Sequence, residues 1–369
     1  TDPEDRTIGD VMNYTSGTTG NPKGVFRRLS GLSPEEAALG QSGILFLFNI
    51  QPQDENVHIV GSPLYHTAVM RFSGASIHLG HTIVVMDKWL PEEMLRLIQE
   101  YKVTTSHMVP TQFHRLLALP QDVRDRYDLT SLRHMIHAAA PCPVDVKHQM
   151  IAWWGPILHE YYGATEGNGM TRINAAQWLA HPGSVGQATV GVLHICNETG
   201  AELPTGEAGL VYFEREEMPF AYHKDPERTR AAQHPIHLHW STLGDIGYLD
   251  DDGFLYLTDR KAFMIISGGV NIYPREIEDV LIQHPAVRDV AVFGIPDAEM
   301  GEQVKAVVEP MADAGPSDAL AQALIEHARA RLAHYKVPKS VDFMDELPRL
   351  PTGKLYKQAL RAAYAGRTG

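Results

Sequence analysis

The chain has 369 residues, 44% of them hydrophobic and 21% charged, with a formal net charge of −13. That apolar content supplies a large core and excludes general disorder, while the acidic excess excludes a general nucleic-acid binder, which needs a basic footprint. Only two cysteines occur, Cys142 and Cys196, which excludes a disulfide framework and favours a reducing compartment. No uncharged apolar run approaches the ~20 residues that span a bilayer, so no integral membrane segment is expected. The opening TDPEDRTIGD is acidic and polar, unlike a secretory signal or a basic transit peptide, and a cytoplasmic location is expected.

In chain order, EEMLRLIQEY (92–101) has helical spacing at Met94, Leu95, Leu97 and Ile98, and the β-branched run VTTSHMV follows. TQFHRLLAL reads as helix, LRHMIHAAA (132–140) as strand, PVDVKHQMIAWW as helix and ILHEYY as strand. Helices alternating with near-continuous apolar strands predict a mostly parallel sheet covered by helices. From 183 to 260 the texture changes to short strands with Gly, Asp and Pro turns, and DDG between YL and FLYL is a hairpin signal. That stretch is expected to be antiparallel and barrel-like. Beyond it, FMIISGG, VRDVAVFGI and QVKAVVEP read as strands, with helices over PREIEDVLIQH and DALAQALIEHARARL. The fold class is therefore α/β, a large domain at 1–261 followed by a small α+β domain at 262–369.

Charge is uneven. Residues 329–369 hold nine Lys or Arg against three acids, a local net of +6 in an acidic chain. The strongest chemical signal is YTSGTTGNPKGV (14–25), where Thr15, Ser16, Thr18, Thr19 and Lys23 are punctuated by Gly17, Gly20 and Gly24. Glycines let several backbone N–H groups converge on one anion, and hydroxyls and lysine add donors and charge. A Walker A loop would need Ser or Thr after the lysine, where Gly24 stands.

This string resembles the phosphate loop of the adenylate-forming superfamily, which contains acyl-CoA synthetases, luciferases and peptide-synthetase adenylation domains. Four further segments resemble its motifs in order: YYGATEG (161–167), STLGDIGYLDDDGFLYLTDR (241–260), MIISGGVNIYPREIE (264–278) and LPRLPTGKLYKQALR (347–361). The resemblance implies that residues 15–23 (Thr15, Ser16, Gly17, Thr18, Thr19, Gly20 and Lys23 among them) hold the ATP phosphates. It implies that Glu166 ligates Mg²⁺, as one carboxylate beside phosphate oxygens suits a hard cation. Tyr162, with Gly163 and Thr165 of the same motif, would meet adenine, and Ala139 and Ala140 would line its other side. Asp245 and Arg260 would hold the ribose.

By the same resemblance Lys354 bridges the acyl carboxylate and the α-phosphate, and the basic tail brings cationic charge to a polyanionic substrate. His66 in SPLYHTAV matches a position near the acyl carboxylate. Gly268 and Gly269 would let the backbone approach the pantetheine arm of CoA after the mobile C-terminal domain turns. The pivot position of the family falls on Ala262, which leaves the hinge residue open. HLGH (78–81) and HPIHLHW (234–240) imitate adenylating and metal-binding patterns without their partner residues, and both read as structural.

The implied activity is that of an ATP-dependent, AMP-forming acid–thiol ligase, with ATP, Mg²⁺ and CoA as cofactors and co-substrates and a hydrophobic fatty, aryl or polycyclic acid as substrate. An adenylase that loads a separate acyl carrier protein, and a relative that binds nucleotide without turnover, are the alternatives. The acid and the oligomeric state, a homodimer included, stay open. Relatives carry a substantial segment ahead of the phosphate loop, so an N-terminally incomplete large domain with exposed apolar surface is expected.

Overall fold

A computed structural model describes residues 6–15, 23–52, 55–260, 262–349 and 355–364, the Arg260 side chain excepted. The described part opens with a hairpin, β1 (Asn13–Thr15) and β2 (Lys23–Phe26), in which Thr15 lies opposite Lys23. Helix α1 (Pro34–Phe46) starts after Ser33, whose hydroxyl and Glu36 form a reciprocal capping box.

The large sheet is then laid down by β3 (Val57–Val60), α2 (Thr67–His78), β4 (Thr82–Val85), α3 (Pro91–Tyr101), β5 (Thr105–Met108), α4 (Pro110–Leu117), the short α5 (Gln121–Arg124), β6 (His134–His137), α6 (Val144–Trp154) and β7 (Leu158–Gly163). β8 (Met170–Asn174), α7 (Ala175–Ala180) and β9 (Gln187–Val190) complete it. The strand order is β4-β3-β5-β6-β7-β8-β9, with the first five parallel and the last two antiparallel. Both faces are covered, so β5 and most of β6 are buried even at polar positions such as Ser106, His107 and His137. Met94, Leu95, Phe113, Leu116, Met150 and Trp154 from α3, α4 and α6 fill one face. Leu45, Phe48, Phe72 and Ala75 from α1, α2 and the loop between them close the other over Ile136.

Two details differ from the sequence expectation. Residues 187–190 form the antiparallel edge of the large sheet: the chain leaves β8, passes through α7 and doubles back to pair with β8. The strand predicted over 132–140 ends at His137, since Ala139 turns to φ 71° and leaves the β region.

Next come β10 (Val192–Cys196), β11 (Gly209–Glu214), β12 (Ala221–Tyr222), α8 (Pro226–Ala231), β13 (Trp240–Leu249) and β14 (Leu255–Arg260). β10, β11, β13 and β14 make an antiparallel sheet in that order, whereas β12 leaves it and pairs with β2. The C-terminal sheet domain comprises β15 (Ile265–Ser267), β16 (Val270–Ile272), α9 (Pro274–Leu281), β17 (Val287–Asp297), β18 (Gly301–Pro310), α10 (Asp318–Arg329), β19 (Ser340–Phe343) and α11 (Lys357–Tyr364). Its own core gathers Ile277, Leu281, Val292, Val308 and Leu324.

Polar contacts knit the junction between these parts. The Arg275 backbone N–H donates to the Asp259 carboxylate at 3.0 Å, and Nη1 donates to the Leu257 carbonyl at 3.1 Å. From α11, Arg361 Nη1 donates to the Ala262 carbonyl at 3.0 Å and Nη2 to Glu302 at 3.0 Å. Large apolar side chains stand exposed along α1, α2 and the edge strand β4, at Leu39, Ile77 and Val85. Among the described residues no helix is long and apolar enough to cross a membrane.

Candidate active site

The chemistry-bearing residues collect where the parallel strands end. β7 stops at Gly163, and the turn that follows closes with the Gly167 N–H donating to the Ala164 carbonyl at 3.0 Å, Gly167 taking φ 68°. This turn holds the Glu166 carboxylate in a buried position, where a partner is required. Tyr222 supplies it, donating its hydroxyl to Glu166 Oε1 at 2.9 Å. The Tyr222 ring also lies 4.9 Å from Lys23 Nζ. The backbone explains the meeting: β12 pairs with β2, placing Tyr222 opposite Val25 and so bringing Lys23 of β2 toward Glu166.

A second pair forms beside it. Tyr162 donates its hydroxyl to Asp245 Oδ2 at 2.7 Å. Asp245 sits in a distortion of β13: Leu210 pairs with Ile246 and Tyr212 with Thr242, so Leu243, Gly244 and Asp245 fall out of register with β11, and Gly244 takes φ 81°. Such a bulge re-aims a side chain, here toward β7. Across the other ladder, Asp245 lies directly opposite Arg260, so the backbone alone sets these two side by side.

Thr165 links the turn to α2, its hydroxyl 3.2 Å from that of Thr67, and its carbonyl accepts from Arg27 Nη2. Burial lowers the Arg27 pKa, neighbouring Arg71 lowers it further, and Asp10 and Glu166 oppose both. Arg215 Nη1 donates to the Gly167 carbonyl at 3.2 Å. His66 is the N-cap residue of α2, stacked on Tyr65 and adjacent to Thr67. Ala139 and Ala140 lie just past the end of β6.

Gly268 and Gly269 have φ 57° and 80° and form the two-residue turn between β15 and β16, where Ser267 pairs with Val270. Positive φ at both central residues of a two-residue hairpin is the type I′ turn, so both glycines have a structural reason to be there. The Gly268 N–H donates to the Met300 carbonyl at 2.8 Å. Ser16, Gly17, Thr18, Thr19, Gly20 and Lys354 lie outside the described residues, as does the side chain of Arg260. The structure thus joins Lys23 to Glu166 through Tyr222, and Tyr162 to Asp245. Sequence reasoning missed Tyr222, Arg27 and Thr67. MPFAYHKDPERT carries no chemical pattern of its own, and only the pairing of β12 with β2 reveals Tyr222.

Among the described residues no group of three or more His, Cys, Asp or Glu side chains is arranged to hold a metal ion. Tyr222 occupies only Oε1 of the buried Glu166, which leaves its second carboxylate oxygen for another ligand. That suits an ion held mostly by phosphate oxygens and water, as magnesium is.

Comparison with known proteins identifies the family. Residues 6–222 match the family described as AMP-binding enzyme, and residues 276–354 match the AMP-binding enzyme C-terminal domain. A long-chain-fatty-acid–CoA ligase of Bacillus subtilis is 35% identical over 95% of this chain, and one of Mycobacterium tuberculosis is 33% identical over 95%. The chain spans 61% of the first relative's length and 67% of the second's. The o-succinylbenzoate CoA synthetase of Bacillus subtilis, solved with its acyl-adenylate intermediate, superposes with a TM-score of 0.80 at 27% identity, covering 98% of this chain and 71% of that one. The chain belongs to the family of AMP-binding, adenylate-forming enzymes.

Proposed function

We propose that the protein is an acyl-CoA synthetase. It activates a hydrophobic carboxylic acid with ATP to acyl-AMP and pyrophosphate, then transfers the acyl group to CoA. The observation that carries this reading is the Lys23–Tyr222–Glu166 arrangement beside the Tyr162–Asp245 pair. It puts a phosphate-binding cation and a buried carboxylate within one side chain of each other, next to a ribose acceptor.

In the first step a carboxylate oxygen attacks the α-phosphorus of ATP and the bond to pyrophosphate breaks. Like-charge repulsion must be offset by cations and donors at that centre. Lys23 and the loop at 15–23 supply them for the β and γ phosphates, and Lys354 supplies a cation between carboxylate and α-phosphate. Glu166 is the residue that holds Mg²⁺, which when bound neutralises phosphate charge. Tyr162 and the Ala139–Ala140 backbone receive adenine, while Asp245 and Arg260 fix the ribose. His66, at the head of α2, borders the acid carboxylate.

In the second step the CoA thiol attacks the acyl carbonyl and AMP leaves with its electron pair. The C-terminal domain, beginning near 262, turns between the steps to exchange Lys354 for the Gly268–Gly269 turn. The names of relatives support this reading: besides the fatty-acid ligases, a feruloyl-CoA synthase and a 2-succinylbenzoate–CoA ligase are 32% and 33% identical.

The test is AMP release from an acid panel, dependent on ATP and CoA, with acyl carrier protein offered as the competing acceptor. Lys354→Ala should abolish acyl-AMP formation and largely spare thioester formation from supplied acyl-AMP. Equal loss of both steps would count against the assigned role of Lys354, and absence of AMP release with every acid would overturn the activity.

A further inference from the structure

On the face of the large sheet covered by α1 and α2, His107 of β5 and Tyr161 of β7 form a pair, with His107 Nε2 3.1 Å from the Tyr161 hydroxyl. His107 is 4% exposed, and its Nδ1 has no hydrogen-bond partner among the described residues. Burial, with the charges of His58 and His66, lowers the His107 pKa to about 3, so the ring is neutral at pH 7. A neutral imidazole carries one N–H and a phenol one O–H, and their mutual bond uses only one of the two. With the proton on Nε2, histidine donates and the phenol O–H remains. With the proton on Nδ1, the phenol donates and the Nδ1–H remains. Either tautomer leaves one donor unspent in the interior, where an unmet donor costs free energy.

A second observation points the same way. Arg71 stands one helical turn after Thr67 on the same face of α2, and it forms no ion pair among the described residues. Its charge acts on Arg27 and on Tyr161. Arg27 and Thr67 both bond to Thr165, so this group borders the turn that carries Glu166. Strand alternation puts Tyr161 on the opposite face from Tyr162, which is committed to Asp245. The nucleotide side and the Tyr161 side are therefore different places. Phe72 lies 4.9 Å from His107 and 5.9 Å from Tyr161, giving an apolar floor beside the unspent donor.

We propose that the acid activated by this protein carries a second oxygen function, away from its reacting carboxylate, that accepts a hydrogen bond from the His107–Tyr161 pair under the charge of Arg71. The inference rests on the acyl-activating reading and names the substrate chemistry of that same site: an apolar skeleton bearing a carbonyl, hydroxyl or second carboxylate.

The experiment compares kcat/KM, in the full-length protein, for a medium-chain monoacid, its keto and hydroxy derivatives substituted at successive carbons, and the dicarboxylate of equal length. At least one oxygenated acid should exceed the parent by about tenfold. Tyr161→Phe, where the phenol O–H is the spare donor, or His107→Phe, where the Nδ1–H is, should bring that ratio close to one, and a within-variant ratio is independent of how much protein folds. A dicarboxylate preference lost in Arg71→Gln identifies an anionic group, and a keto or hydroxy preference retained there identifies a neutral one. If every derivative is no better than the parent, or if the ratio is unmoved in both Tyr161→Phe and His107→Phe, water alone meets the spare donor and the inference is wrong while the activity stands. AMP release from no acid would instead overturn the activity itself.

Discussion

Tyr222 donates its hydroxyl to Glu166 Oε1 at 2.9 Å while its ring lies 4.9 Å from Lys23 Nζ. One side chain from a two-residue strand therefore spaces a cation from a carboxylate and orients the carboxylate. Tyr222→Phe keeps the ring and removes the bond. The half-saturating Mg²⁺ concentration in ATP–pyrophosphate exchange should rise about three- to tenfold, the net scale of one ordinary hydrogen bond. Metal binding to the nucleotide-loaded protein without acid, followed by titration calorimetry, should show the same shift. An unchanged Mg²⁺ dependence would show that Tyr222 is packing alone.

Beneath β7, Lys147 Nζ lies 2.5 Å from Glu160 Oε2, with Lys147 1% exposed and Trp178 facing the ammonium at 4.7 Å. Removing one partner strands a buried charge, so Lys147→Met or Glu160→Leu alone should cost about 3–5 kcal/mol in denaturant unfolding. The double replacement should recover most of that loss. Additive losses would mean that the two charges are not coupled.

Buried histidines give a pH dependence. Burial lowers the pKa of His58 and His159 to about 4 and that of His107 to about 3, and it holds His137 well below its usual range. Each folded-state value lies below the unfolded value of about 6.5, so the unfolded chain binds more protons between them. Stability is full above about pH 6.5 and falls as pH drops toward 4, by up to about 1.4 kcal/mol per pH unit for each histidine. Urea midpoints measured from pH 7 to 4 should decline steeply, and a flat profile would place these rings in contact with water.

Ala139 holds φ 71° just past β6, a conformation that costs a residue with a Cβ about 1–2 kcal/mol. Ala139→Gly relieves this but makes the unfolded chain more flexible by about 0.4–1 kcal/mol. The expected outcome is a net gain of up to about 1 kcal/mol, read as a higher unfolding midpoint with unchanged slope. A loss of stability would show that the Ala139 methyl packs usefully.

Local patterns made the alternating part of the fold legible. The spacing in EEMLRLIQEY states its own structure, whereas the strands at 105–108 and 134–137 are legible from their place between helical segments, since Thr105, Ser106, His107 and His137 are buried polar residues. Glu166, Tyr162 and Asp245 were legible as parts of contiguous strings. Their partners were not. Tyr222 reaches Glu166 across 56 positions of sequence and Thr67 reaches Thr165 across 98, contacts that exist only once strands pair. The strand at 187–190 is antiparallel as expected but joins the large sheet, for the same reason: its membership is decided only by pairing with β8.

At the junction, the acceptor that Arg361 grips is the carbonyl of Ala262, not a side chain. Every residue type presents that carbonyl, so position 262 can drift through evolution without dissolving the contact. What must persist is the guanidinium on α11. For the turn proposed near 262, the partner to follow is the guanidinium rather than the side chain at 262. The selectable feature lies 99 positions downstream, in the last described helix.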